Sequence, residues 1–139
     1  MEWTSRKVLI TARGATSILG RQQEKDTIAW TDKHTLSSLN PPLYMVSLPK
    51  HHITSQLIEQ KRVFVVNFFD KREDLHKVEL FDARFHDQFT ASSLRKEEAQ
   101  TIDCSRIQDA DHYLECELIE SIITGDTITF IGKISKGLI

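Results

Sequence analysis

A period-two pattern near the end of the sequence constrains the fold more than any other feature. In HYLECELIESI, the apolar residues Leu114, Cys116 and Leu118 alternate with Glu115 and Glu117. An extended segment with this spacing has one dry face and one wet face, because successive side chains point to opposite sides of a strand. The pattern predicts a β-strand that packs one face against a core and turns its glutamates to solvent.

A tight turn is predicted directly after this strand. The turn sequence TGDT leads into a second apolar segment, ITFIGKI. Gly125 accepts the positive φ that the first position of a two-residue hairpin turn requires. The end of the sequence therefore predicts an antiparallel β-hairpin.

Four earlier segments are predicted to be strands, and two are predicted to be irregular. LYMVSL is nearly all apolar, so we expect both of its faces to be covered. Pro41 and Pro42 have no N–H donor and bias Asn40 away from helix, which favours a loop there. The predicted strands are KVLITA (7–12), TIAWT (27–31), LYMVSL (43–48) and RVFVVNFF (62–69), and the predicted loops are 13–26 and 32–42.

The apolar pattern becomes helical after the third of these strands. Thr54 can cap a helix through its hydroxyl, and Ile53 and Ile58 occupy the staple positions around that cap. A longer charged region, 70–100, also has helical spacing. Its apolar positions are Leu75, Val78, Phe85 and Phe89. About six strands with these insertions favour a mainly β fold, a small antiparallel barrel with inserted helices.

Length and composition exclude several classes of protein. The 139 residues point to one domain, 1–139, with a core that needs no metal or disulfide. A net charge of −2 with scattered basic residues excludes a general nucleic-acid binder. No apolar run is long enough to cross a membrane, and MEWTSRKVLI has no signal-peptide pattern. Cys104 and Cys116 are spaced for neither zinc nor a disulfide framework, so a reducing cytoplasm is expected.

The segment SSLNPPLYMVSLPKHHITSQLIEQ has the features of a site for a flat, phosphate-bearing cofactor. The unpaired N–H groups at a helix start and the helix dipole both favour an anion. Basic residues precede that helix start, and a serine-rich turn offers further donors. The candidate side chains are Ser37 and Ser38 in the turn, Lys50, His51, His52 and Thr54 at the helix start, and Trp30, Tyr44 and Met45 as ring walls.

Each of these features also has a plainer explanation. Basic residues near a helix start are common on protein surfaces, and Ser-Ser before Pro-Pro is ordinary turn chemistry. Adjacent histidines suggest a metal, but no carboxylate or third histidine lies at ligand spacing, so no metal site is predicted. Asn67 lies within an apolar strand and must find hydrogen-bond partners. Those partners are either loop backbone groups or part of a cofactor site.

Three stretches, in this order, match the pattern of a known family. The first is TIAW followed by SSLNPPLYMVSLPKHHITSQLIEQKRVFVVNF, the second is LRKEEAQTIDCSRIQDADHYLECELIE, and the third is TGDTITFIGKI. They resemble the N-terminal signature, the middle-to-late segment and the closing hairpin of the flavin reductase-like proteins, which have the FMN-binding split-barrel fold. Together they cover most of residues 7–135.

The resemblance implies FMN bound without a covalent bond, in a homodimer with the cofactor near the subunit interface. Many members of the family use NADH or NADPH to reduce flavin, and others are flavin-binding electron carriers. Matched position by position, the resemblance implies cofactor contacts by Ser37 and Ser38 at the ring, Thr54 near the phosphate, His52 where arginine is common, Thr27 and Trp30 beside the ring, and Asn67 at a Val-Val-Asn position.

The sequence departs from the family pattern at several positions. Trp30 lies about three residues farther from the Pro-Pro pair than is usual in the family. His52 in place of arginine removes a permanent, forked charge, for which Lys50 is expected to compensate. Thr127 stands where the family more often has histidine. Relatives commonly continue past the position of Ile139, so any site residue in such a tail is expected to be missing.

The sequence predicts an FMN-binding flavoprotein that acts as an NAD(P)H-dependent flavin reductase. Hydride transfer from nicotinamide to the flavin N5 atom is the cofactor's own chemistry, so no catalytic side chain is required. This agrees with the absence of a catalytic triad or paired-carboxylate pattern from the sequence. Two alternatives remain open: a non-catalytic FMN-binding electron carrier, and a shortened scaffold protein without bound cofactor.

Overall fold

The computed structural model describes residues 6–137. Residues 1–5 and 138–139 lie outside this range, and so does the expectation about the end of the chain at Ile139. The strands are β1 (Val8–Ile18), β2 (Arg21–Thr31), β3 (His34–Leu39), β4 (Pro42–Pro49), β5 (Val63–Phe68), β6 (Lys96–Glu98), β7 (Ser105–Ile107), β8 (His112–Thr124) and β9 (Thr127–Lys136). The helices are α1 (Ile53–Lys61), a 3₁₀ helix (Leu75–Leu80) and α2 (Gln88–Ser92).

Seven strands form one antiparallel sheet in the order β2-β1-β5-β8-β9-β4-β3. Strands β2 and β3 lie at opposite edges of this sheet, yet residues 32–33 alone join them. The sheet must therefore curl until its two edges approach each other. The Ser47 amide donates to the Lys33 carbonyl at 2.9 Å, and the Thr31 hydroxyl donates to the Ser47 carbonyl at 2.7 Å. The predicted fold class, mainly β and antiparallel with the curl of a split barrel, is confirmed.

The hairpin predicted near the end of the sequence is confirmed as β8 and β9. Thr124 pairs with Thr127 across the turn, and Gly125 has a φ of 65°. One side chain does not follow the predicted alternation, because Glu115 is fully buried. The backbone amides of Gln100 and Thr101 donate to its carboxylate and cover it with a loop.

Three of the strand and loop predictions are wrong. The predicted loop 13–26 is the continuation of β1 and β2, with its turn at Leu19 and Gly20. The predicted loop 32–42 contains β3. Strand β4 alternates between buried and half-buried side chains, so one of its faces is only partly covered. Gly14 lies within β1 and faces α1, since a Cβ there would lie 2.5 Å from Oε1 of Gln60.

The helical predictions are partly wrong. Helix α1 forms, but His52 is its N-cap and Thr54 is its second residue. Between 70 and 100, most of the chain is irregular, and the helices there are short. Leu75, Val78 and Phe89 are buried as predicted, whereas Phe85 is 70% exposed.

Two apolar cores lie on opposite faces of β1 and β2, because side chains alternate along a strand. The inner core is inside the curled sheet and is closed by α1; it includes Ile10, Val46 and Phe64. The outer core lies between the sheet and residues 75–107, and it includes Leu9. The segment that covers the outer core also reaches the start of α1, where Glu79 contacts His52.

The two cysteines are free and buried. Burial raises the pKa of the Cys116 thiol to about 12, and it raises the pKa of Cys104 as well. Both behave as small core residues. Among the described residues, no helix combines the length and apolar composition needed to span a bilayer.

Replacing Gly132 with alanine is expected to lower the free energy of unfolding by about 1–3 kcal/mol, because overpacking a core forces its neighbours to move. A Cβ at this position would lie 2.7 Å from Cβ of Cys116 and 2.7 Å from Cζ of Phe64. Urea unfolding followed by circular dichroism measures the change. Gly125→Asn is the control, since its surroundings are open and asparagine tolerates positive φ. An unchanged urea midpoint for Gly132→Ala would contradict the packing described here.

Candidate functional site

Helix α1 begins with a histidine cap. The Thr54 amide donates to Nδ1 of His52 at 3.0 Å, and Nε2 of His52 lies 2.8 Å from a carboxylate oxygen of Glu79. Because Nδ1 accepts a hydrogen bond, the ring proton is assigned to Nε2, which donates it to Glu79. The Thr54 amide at the helix start is thus satisfied by a side chain that is itself held by an acid.

Thr27 and Thr54, both predicted to contact a cofactor, lie together inside the protein. Each is fully buried, and their hydroxyl oxygens are 2.9 Å apart. This hydrogen bond joins β2 to the first turn of α1. Both side chains therefore fix the position of the helix start, and neither reaches the surface.

A groove runs along the exposed side of α1. Its polar half is a cavity of about 450 Å³, lined by His51, His52, Gln56, Glu79, Asp82 and Arg84. Its apolar half is a cavity of about 410 Å³, lined by Leu19, Ile53, Leu57, Phe85, Gln60 and Thr16. The two halves share Ile53, Gln56 and Arg84. We call these two adjacent cavities the α1 groove, and the volume of each lies within the range of roughly 300–1,000 Å³ that is typical of small-molecule sites.

Residues 79–88 form the wall of the polar half opposite α1, and Gln88 fixes this wall to the sheet. The Ile28 amide donates to Oε1 of Gln88 at 2.6 Å, and Nε2 of Gln88 donates to the Ile28 carbonyl at 3.0 Å. Gln88 thereby takes the place of a neighbouring strand at the edge of β2. The Trp30 amide donates to Glu79 at 3.4 Å along the same edge.

The polar half of the α1 groove carries charges of both signs. Arg84 forms two hydrogen bonds with Asp82, at 2.9 and 3.2 Å. These bonds lower the pKa of Asp82 to about 2, so both groups are charged at neutral pH. Glu79 is held by His52. Arg84, the arginine that lines this half, is therefore already paired with Asp82.

The other predicted site residues lie elsewhere. Ser38 pairs with Leu43 at the first end of β4, whereas Lys50 follows the other end, roughly 20 Å away at ~3.3 Å per residue. Ser37 is exposed beside Ser38, with its hydroxyl donating to the Leu43 carbonyl. Trp30 is half-buried and packs on the outer core, on the face of β2 opposite Thr27.

Asn67 is buried among three strands. Its Nδ2 donates to the Leu9 carbonyl at 3.0 Å and to the Thr11 hydroxyl at 3.1 Å. Its Oδ1 accepts from the Ile107 amide at 2.9 Å. The sequence left open whether these partners come from the protein or from a cofactor site. In the structure they are backbone and side-chain groups of the protein. The prediction that Asn67 contacts a cofactor stays a prediction.

The sequence did not indicate Glu79, Arg84 or Gln88 as site residues. They belong to a charged region whose pattern is typical of a solvated helix, and their importance depends on contacts with distant parts of the chain. Gln88, for example, meets Ile28, which is 60 residues away. The burial of this glutamine is a signal that becomes visible only in the folded chain. Within residues 6–137, no group of three or more His, Cys, Asp or Glu side chains is arranged to hold a metal.

A family model described as flavin reductase like domain matches residues 4–139. The chain belongs to the flavin reductase-like domain family. This confirms the resemblance noted in the sequence. No curated protein is similar enough in sequence to count as a match.

Solved structures of similar fold include several flavin proteins. An FMN-binding protein from Thermus thermophilus has 19% identity and a TM-score of 0.74, over 96% of this chain and 69% of that one. The NADH:FAD oxidoreductase of Streptomyces globisporus has 19% identity and a TM-score of 0.75, over 96% and 74%. A putative flavin reductase from Shewanella frigidimarina has 16% identity and a TM-score of 0.79, over 95% and 65%. At these identities the likeness concerns the fold.

The α1 groove of this flavin reductase-like domain fits one part of a flavin better than another. Its apolar half offers Ile53, Leu57 and Phe85, which suit the face of a flat ring. Its polar half offers amide, imidazole and carboxylate groups, which suit a chain of hydroxyls. A phosphate fits less well, because Glu79 and Asp82 line the same half. The lining of the groove therefore matches the ring and the polyol chain of a flavin, but it does not match the phosphate.

Proposed function

We propose that this chain is a flavin-binding oxidoreductase that reduces flavin with NADH or NADPH. The observation that carries the proposal is a ligand-sized groove with one polar and one apolar half, in a chain that belongs to the flavin reductase-like domain family. The names of similar structures, which include an NADH:FAD oxidoreductase and a flavin reductase complexed with NADP⁺, support this activity. FMN is the flavin that the sequence resemblance implies.

In this proposal the protein binds and orients the flavin. Ile53, Leu57 and Phe85 would cover the ring and exclude water, while Gln56 lies where the two halves meet. A bound flavin supplies the chemistry, because its ring accepts a hydride without help from an acid or base. Gln60 keeps the groove in shape, since its amide receives a hydrogen bond from the Ala15 amide and donates one to the Ala15 carbonyl.

Two measurements test the activity. The visible absorption spectrum of the isolated protein reports bound flavin, and NADH or NADPH consumption in the presence of free flavin reports turnover. Gln56→Trp is expected to abolish both, because position 56 is exposed and lines both halves of the groove. Glu59→Trp is the matched control, since it is exposed on the same helix and does not line the groove. Nicotinamide consumption that Gln56→Trp leaves unchanged would place the activity outside the α1 groove.

An electron carrier is the second candidate function. It is favoured by two hydrogen bonds at the helix start, one between Thr54 and Thr27 and one between His52 and Glu79. These bonds leave fewer groups free to bind a co-substrate. A yellow protein that consumes neither nicotinamide would support the carrier. A colourless protein that binds no added flavin would support a scaffold without cofactor.

We also propose a homodimer of single domains, 1–139, in a reducing cytoplasm. Exposed apolar side chains on the edge strand β3 and on β8 support association with a second copy, because such patches favour protein contacts. They are Leu36, Leu39, Ile119, Ile122 and Ile123. In a dimer, Ser37 and Ser38 could approach a groove other than their own. Sedimentation velocity tests the assembly, and a monomer at all concentrations would contradict it.

A further inference from the structure

The lining of the polar half of the α1 groove is unfavourable for an added anion. Two carboxylates, Glu79 and Asp82, face one guanidinium, that of Arg84. The carboxylates therefore outnumber the guanidinium among these lining groups. Arg84 is also committed, since it makes two hydrogen bonds to Asp82. Among the described residues that line this half, no arginine or lysine is left over for a phosphate.

Lys25, a cation near the groove, does not change the balance of charge among the lining groups. The Lys25 ammonium group donates to the Ala83 carbonyl at 2.6 Å, and Lys25 is not among the residues lining either half. Lys50, which the sequence suggested as a phosphate ligand, does not line them either. Lys25 is therefore held by a protein oxygen, and Lys50 lies outside the lining of the groove.

Several groups at the helix start are already occupied. A phosphate at a helix N-terminus is held by free backbone N–H groups, but here the Thr54 amide already donates to His52. Nε2–H of His52 points to Glu79, and the Thr54 hydroxyl is bound to Thr27. Carboxylates are strong acceptors for hydroxyl donors. The polar half thus offers acceptors, which match the hydroxyl end of a polyol chain.

We infer that the α1 groove selects a flavin whose side chain ends in an uncharged hydroxyl, riboflavin, over its phosphate ester, FMN, and that Glu79 is a specificity-determining residue. The inference rests on the proposed function, because it concerns the same groove and the same ring. Glu79 accepts from the polyol hydroxyls and repels the phosphate dianion. Its position is fixed by His52 and by the Trp30 amide, so it does not need to move when the ligand binds.

The test compares the dissociation constants of riboflavin and FMN, measured by quenching of flavin fluorescence at fixed ionic strength. For the wild-type protein, riboflavin is expected to bind about tenfold more tightly than FMN, as partly screened charges at short range would give. Glu79→Gln keeps an acceptor for His52 and removes the charge, so it is expected to bind FMN about tenfold more tightly than wild type. Glu59→Gln, an equal charge change on α1 outside the groove, is expected to leave the preference unchanged.

The possible outcomes separate this inference from the proposed function. If the protein binds FMN at least as tightly as riboflavin, the inference is overturned while the proposed function stands. If Glu79→Gln and Glu59→Gln shift FMN affinity equally, the selection is a matter of net charge and the role of Glu79 is overturned. If neither flavin binds at all, both the inference and the proposed function are overturned.

Discussion

Replacing Arg13 with methionine is expected to lower the free energy of unfolding by about 3–5 kcal/mol, the usual cost of removing one partner from a buried ion pair. The Arg13 guanidinium lies 2.7 Å from Asp26, 2.6 Å from Glu98 and 3.1 Å from Asp103. The side chains of Arg13 and Asp26 are both buried, with exposed fractions of 9% and 13%. The cluster joins the β1–β2 hairpin to β6, through Glu98, and to the loop after β6, through Asp103. Urea unfolding at pH 7 measures the loss.

This loss is expected to depend on pH. The hydrogen bond from Arg13 lowers the pKa of Glu98. Burial alone would raise the pKa of Asp26, but hydrogen bonds and charges from Arg13 and Lys96 outweigh burial and lower it. A carboxyl with a lowered folded-state pKa stabilises the fold above its unfolded-state pKa, and this stabilisation is lost as pH falls through the folded-state value. The difference between Arg13→Met and wild type is therefore expected to be full at pH 7 and to shrink below about pH 4.

Arg72→Met is the matched control for the arginine change. Arg72 pairs with Asp74 at 3.2 Å, but both side chains are nearly half exposed. Exposed pairs contribute less than about 1 kcal/mol. Equal losses for Arg13→Met and Arg72→Met would show that burial of the Arg13 cluster does not matter for stability.

Replacing Asn67 with leucine is expected to lower the free energy of unfolding by about 1–3 kcal/mol, the cost of a buried polar group left without a partner. The change removes the partner of the Ile107 amide and one of the donors to the Leu9 carbonyl. These groups belong to β1 and β7, so the attachment of β7 to the sheet should loosen. Urea unfolding measures the loss, and hydrogen exchange at the Ile107 amide is expected to accelerate.

Gln108→Leu is the control for this exchange of an amide for an apolar side chain. Gln108 is exposed, and surface changes of this kind usually stay within about 0.5 kcal/mol. If the Ile107 amide in Asn67→Leu remains as protected as in wild type, the buried amide does not connect β7 to the sheet.

The parts of the fold that the sequence predicted have a clear local pattern. The alternation in β8, the glycine at the turn and the apolar run of β5 each depend on residues close in the chain. Strand β3 and the outer ends of β1 and β2 were missed because they are polar and largely exposed. Their extended shape comes from pairing with neighbouring strands, so no apolar period indicates it.

The candidate site was predicted only at one of its walls. The start of α1 follows from the change of period near residue 53, and it lines the groove. The opposite wall comes from residues 79–88, whose charges looked like those of a solvated helix. Glu79 meets His52 only because Gln88 fixes that segment to Ile28, and such a long-range hydrogen bond leaves no mark in the local sequence. The two serines lie at the far end of β4 for a similar reason, since strand length separates them from α1.

The sheet order also has a consequence for how the protein assembles during translation. The β3–β4 hairpin is complete after residue 49, but within the sheet its partner is β9, so that Pro49 pairs with Thr127. A nascent chain leaving the ribosome must therefore carry this hairpin without its neighbouring strand in the sheet until residues 127–136 have emerged. During that interval, the apolar side of β4 has no lasting cover, which makes it a natural place for a chaperone to bind.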